Sequence, residues 1–121
     1  MFEIHKSDFT VEHIPDLSGK VVIITGGTAG LGLVSAVELA NKGAHVIITA
    51  RNSGKGEAAI NAIKKALEKK NGKASEAQIE FGVAELEDLH SINAFASWFL
   101  AKNLALHIFL LSAGVCFVPF R

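Results

Sequence analysis

The stretch of this chain best equipped for chemistry is Thr25-Gly26-Gly27-Thr28-Ala29-Gly30-Leu31-Gly32. An apolar, β-branched run, Val21-Val22-Ile23-Ile24, stops at Thr25. Glycines follow at 26, 27, 30 and 32, and Leu33, Val34, Val37 and Ala40 then recur at helical spacing. The order reads as strand, glycine-rich turn and helix. Such a turn lets backbone approach a phosphate closely and aims the N–H groups of a helix start at it. The residues after Gly30 are Leu31, Gly32 and Leu33, so the Gly-Lys-Ser/Thr ending of a P-loop is missing.

A second pointer lies at the end of the next apolar run, where Thr49-Ala50 is followed by Arg51-Asn52. A site for NAD would place a carboxylate there to take ribose hydroxyls. Ala50 offers none, whereas Arg51 offers a planar cation that can grip a 2′-phosphate. The combination favours NADP(H) over NAD(H). The glycines alone would also suit a tight turn that holds no ligand, and Arg51 alone a solvated surface arginine. Their placement at consecutive strand ends weighs against both.

These residues need elements to position them. Strands are expected at about 20–25, 45–50, 78–84 and 106–112, and helices at about 30–42, 53–70 and 88–102. Asn41-Lys42-Gly43 is a helix stop. The second helix carries Ala59, Ile60, Ile63 and Leu67 on one stripe, with Lys and Glu opposite. The third is expected to turn Leu89, Ile92, Phe95, Ala96 and Phe99 inward. Alternating strands and helices imply right-handed crossovers and a parallel sheet. The expected fold is α/β: a truncated Rossmann-type doubly wound parallel sheet, strand order 3-2-1-4, with helices on both faces. Residues 1–18 read as an N-terminal arm and 19–121 as an incomplete NAD(P)-binding domain lacking its second half.

Composition narrows the class. Half of the 121 residues are apolar and 20% are charged, as in a globular chain. Lys+Arg and Asp+Glu are both 12, so nothing electrostatic argues for nucleic acid or an anionic membrane. The run from Leu104 to Phe120 is broken by His107, Ser112, Gly114 and Pro119 and does not read as a membrane span. The lone Cys116 excludes an internal disulfide and, with no signal-like start, leads to a cytoplasmic expectation. His5, His13, His45, His90 and His107 show no metal-ligand spacing, so no metal site is expected. Trp98 with Phe95 and Phe99 reads as core or interface, and Lys64, Lys65, Lys69, Lys70 and Lys73 as a solvated face.

Taken together, Asp16-Leu17-Ser18-Gly19-Lys20, the glycine turn and Ala50-Arg51-Asn52 resemble the N-terminal, cofactor-binding half of the short-chain dehydrogenase/reductase family. The segment 9–17, and Ala101-Lys102-Asn103 before Leu106-His107, resemble its retinol-dehydrogenase-like and WW-domain-oxidoreductase-like branch. The resemblance implies that Gly26, Thr28, Ala29, Gly30, Leu31 and Gly32 form the phosphate turn. It implies that Arg51 and Asn52 hold the adenosine ribose phosphate. Glu85-Leu86 would meet adenine, where the family commonly has Asp-Leu. Ser112, Ala113 and Gly114 would flank the cofactor riboses, with Ser112 in place of an Asn that ties central strands together. His107 stands where an Asp is common. The family's acid/base is a Tyr in a Tyr-x-x-x-Lys motif, and this chain contains no Tyr, so no catalytic residue is nominated.

Two functions remain open. One is the NADP(H)-binding portion of an oxidoreductase acting on an alcohol or carbonyl. The other is a non-catalytic nucleotide-binding or partner-binding truncated variant. The fourth strand is expected to offer an open edge for self-association or pairing. It would lie beside an apolar patch drawn from Ile108, Leu110, Val22 and Ile24 or their alternating neighbours.

Overall fold

The computed structural model describes residues 10–112. Four strands, β1 (Val21–Thr25), β2 (His45–Ala50), β3 (Ile79–Val83) and β4 (Ile108–Leu111), form one parallel sheet in the order β3-β2-β1-β4. Helices α1 (Gly30–Asn41), α2 (Ser53–Asn71) and α3 (Leu89–Leu100) make the crossovers. β1 lies inside the sheet with every residue buried. That explains why it reads as an unbroken apolar run: both of its faces are covered.

Alternation along the strands sorts side chains to two layers. Val22, Ile24, Val46 and Ile48 pack with Ala36 and Ala40 of α1 and Ala59, Ile63 and Leu67 of α2. Val21, Ile23 and Ile47 pack on the other face with Phe99, beside Phe95, Trp98 and Leu104. Complete burial of an isoleucine such as Ile24 or Ile48 contributes about 1.5–3 kcal/mol, so this middle layer holds much of the fold.

Three expectations about faces are corrected. On helix α1, Leu33, Val37 and Ala40 pack on the core as their spacing suggests, with Gly32 and Ala36 letting the helix lie close, but Val34 is exposed. In α3, Leu89 and Ala96 point to solvent, because the helix is rotated to set the Phe95 and Trp98 rings over Gly82, with Trp98 packed as the core reading expected. Val22 and Ile24 form no surface patch, being fully buried under α1 and α2. The alternating neighbours on β4, Phe109 and Leu111, are the exposed ones, at 51% and 74%.

The ends of the sheet are secured by local chemistry. The Val21 amide donates to the His107 ring Nδ1 at 3.0 Å, and the His107 amide returns a bond to the Val21 carbonyl at 3.0 Å. Of residues 10–18, Ile14 and Leu17 join the first core layer, and the Leu17 amide donates to the Lys42 carbonyl. Helix α2 stops at Gly72, whose φ of +67° is the left-handed cap position that glycine adopts without strain. Among the lysines read as a solvated face, Lys70 instead pairs with Glu38 of α1. Cys116 lies outside the described residues.

Candidate functional site

The carboxyl ends of the parallel strands bring the candidate residues together. Between Gly26, Thr28, Thr49, Ala50, Arg51, Ala84, Glu85, Leu86, Glu87 and Ser112 lies a cleft of about 360 Å³. It sits above β1 and its neighbours, next to the point where the strand order reverses between β1 and β4. Open α/β sheets take ligands at such a position.

The turn after β1 is built for close approach. Gly26 has φ +74° and Gly30 φ +57°, both left-handed. A Cβ on Gly32 would come within 2.3 Å of the Gly26 carbonyl oxygen, so only glycine lets the first turn of α1 fold over the loop. The cap residue Ala29 is extended and has no side-chain cap bond, and the first turn holds no acidic residue. The leading N–H groups of α1 therefore lack the side-chain acceptor that Asn52 gives α2 and Asp88 gives α3. Ala29, Gly30 and Leu31 form the exposed rim of this turn, and Leu31 is 84% exposed.

Two threonines that sequence reasoning gave no role hold this geometry. Thr49 Oγ1 accepts from the Gly26 amide at 3.2 Å, and Thr25 Oγ1 accepts from the Ser112 amide at 3.1 Å. Each is the hydroxyl of an otherwise apolar strand end, which was the available signal. The second bond supplies a tie between β1 and the end of β4 that does not need the longer Asn side chain expected in place of Ser112.

At the far side of the cleft Arg51 and Glu85 stand on adjacent strand ends, joined by the Ala84 amide donating to the Ala50 carbonyl at 2.8 Å. Arg51 Nε donates to Glu85 Oε2 at 3.0 Å. This bond, reinforced by attraction, raises the Arg51 pKa and lowers that of Glu85. Arg51 is thus engaged rather than free, and the Glu85 carboxylate meets a cation rather than standing open. The Asn52 side chain is also engaged: it accepts from the Lys55 amide at 2.9 Å and caps α2. Glu87, which the sequence gave no role, lines the same cleft and adds a second negative charge near Arg51. Ala113 and Gly114 lie outside the described residues.

A larger hollow of about 550 Å³ lies at the opposite pole, lined in part by Asp16, Lys42, Lys73 and Glu76. The C-terminal ends of α1 and α2 border it, and its lining carries two acidic and two basic residues. Helix C-termini carry partial negative charge, so the two helix ends there disfavour an anion. Among the described residues no group of His, Cys, Asp and Glu could hold a metal ion, and no helix is long and apolar enough to cross a membrane.

Comparison with known proteins gives this geometry a context. A family model described as short chain dehydrogenase matches residues 20–121. Retinol dehydrogenase 12 of Homo sapiens is 42% identical over 104 residues, which is 86% of this chain and 31% of that protein. WW domain-containing oxidoreductase of Danio rerio is 38% identical over 109 residues, 90% of this chain and 25% of that protein. The chain thus spans about a quarter to a third of these curated relatives. A solved metagenomic short-chain oxidoreductase in complex with NADP matches with a TM-score of 0.66 at 29% identity, over 83% of this chain and 41% of that one.

Proposed function

The chain belongs to the short-chain dehydrogenase family, and from that premise we propose that residues 19–121 form the NADP(H)-binding portion of an oxidoreductase acting on an alcohol or carbonyl. The observation that carries this reading is Arg51 lining the cleft at the end of β2, with no carboxylate at Ala50. The residues fit the cofactor. The Gly26–Gly32 turn is a cradle that a Cβ on Gly32 would fill, and the uncapped start of α1 offers backbone donors to a pyrophosphate. Thr28 lines the cleft, and Thr28, Ala29 and Leu31 would add side-chain and backbone contacts in this reading. Arg51 holds the 2′-phosphate, with Asn52 and the start of α2 beside it. Glu85 and Leu86 border adenine, and Ser112, Ala113 and Gly114 flank the riboses. When bound, the nicotinamide supplies or accepts a hydride.

The alternative is a non-catalytic nucleotide-binding or partner-binding form, and the outer edge of β4, unpaired among the described residues, is the observation on its side. Titration calorimetry with NADPH and NADH tests the reading. NADPH is expected to bind tighter, and Arg51→Ala to cost NADPH about ten- to hundredfold in affinity while leaving NADH unchanged. Equal affinity in the parent chain, or a preference that survives Arg51→Ala, refutes it.

A further inference from the structure

We propose that Glu85 is a specificity-determining residue that weakens the grip of Arg51 on a 2′-phosphate and so sets how far this site prefers the phosphorylated cofactor. The inference rests on the cofactor reading above and names what regulates that selectivity. Among the described residues, Arg51 is the only cation whose side chain lines the cleft, where it faces two carboxylates, Glu85 and Glu87. The Glu85 carboxylate occupies the Nε position of the guanidinium at 3.0 Å. An arginine grips a phosphate best with two parallel N–H donors, and one such pair includes Nε. With Nε taken, only the edge carrying the two terminal nitrogens remains for that grip.

The backbone holds Glu85 in this role. Its amide donates to Ser91 Oγ at 2.8 Å, and its carbonyl accepts from the Asp88 amide at 3.0 Å. The residue is pinned at both ends by the entry to α3, so its carboxylate is presented to Arg51 rather than left to wander. The extra methylene of Glu over Asp provides reach, from one strand end to the next. A dianionic phosphate arriving at Arg51 therefore meets a cation already neutralised and a second carboxylate, Glu87, nearby. A ribose hydroxyl at the same place brings no charge and feels little of this.

The substitution that isolates the charge is Glu85→Gln. Its amide oxygen can still accept from Arg51 Nε, so arginine placement is kept while the negative charge goes. The probes are adenosine 2′,5′-bisphosphate and adenosine 5′-monophosphate, which report on the adenosine end of the cleft alone. Calorimetry on the whole chain is expected to show Glu85→Gln tightening the bisphosphate about three- to tenfold, with the monophosphate changed less than about twofold. The gain is expected to shrink as salt rises from about 0.05 to 0.5 M. It is also expected to vanish when Arg51→Ala is already present, since coupled residues are not additive. An Arg51→Ala background that retains the full gain overturns the inference, as does Glu85→Gln weakening bisphosphate binding or changing both probes equally. If the parent chain binds neither probe, the cofactor reading fails and this inference falls with it. A circular dichroism melt of each variant confirms that the fold compared is the same.

Discussion

At the scale of single residues, the site depends on close approaches that tolerate little. Gly32 is the sharpest case, because what its absent side chain would meet is backbone, the Gly26 carbonyl oxygen at 2.3 Å, and not the tip of a flexible side chain. Gly32→Ala must push α1 away from the turn. Overpacking of this kind costs about 1–3 kcal/mol, and the shift also misaligns the leading N–H groups of the helix. The expected outcome is a melt lowered by several degrees together with loss of dinucleotide binding; a variant that binds NADPH like the parent chain would contradict the close-approach argument. By contrast Gly30, where an added methyl would find nothing within 4 Å, is required by its φ of +57° rather than by space.

At the scale of elements, α3 is attached to the sheet by rings and by a small polar network. Phe95 and Trp98 lie over Gly82, and Lys102 sits 4.2 Å above the Trp98 ring. Glu80 of β3 accepts from Lys102 Nζ at 2.6 Å and shares a 2.6 Å contact with the His45 ring of β2. Partial burial opposes ionisation of Glu80, but the bonds to Lys102 and His45 outweigh it, and its pKa falls below the ordinary 4.5. The sign follows: a carboxyl whose folded pKa is depressed stabilises the fold above the unfolded value, and that stabilisation is lost as pH falls through the lower, folded value. Since the group remains about a third exposed, the effect is about 0.5–1 kcal/mol. Thermal melts should place Glu80→Gln a few degrees below the parent chain at pH 7, with the gap closing toward pH 3. A gap that stays constant over that range would remove Glu80 ionisation as the cause.

At the scale of the whole molecule, the sheet is unequally covered. One face carries α1 and α2, and the other carries α3, which lies toward β3. Phe109 and Leu111 of β4 are left exposed, and among the described residues no strand pairs with the outer edge of β4. Such an edge invites strand addition. The chain is expected to bind an apolar-surface dye and to scatter light above a monomer's value, and Phe109→Ser with Leu111→Lys to reduce both while leaving the melt within a few degrees. A monodisperse parent chain without dye binding would show that this face is not a liability. With no Tyr anywhere in its sequence, the chain by itself is expected to show no turnover of reduced cofactor across alcohols and carbonyls. Sustained turnover by pure protein would contradict that.

Sequence alone determined the four strands, the three helices, the glycine turn and the helix stops, and the strand order followed from the doubly wound fold they imply. These follow from local rules: apolar runs covered on both faces, glycine where φ is positive, and right-handed crossovers between parallel strands. Tertiary structure decided what those residues do to one another. Arg51 and Glu85 are separated by a whole helix in the chain, and only the pairing of β2 with β3 puts guanidinium against carboxylate. The same applies to Thr49 beneath Gly26, to His107 capping the Val21 amide, and to the rotation of α3 that exposes Leu89 and Ala96. Local pattern sets a side chain's place on its own element. Its partner depends on register and helix rotation, which are settled only when the elements pack.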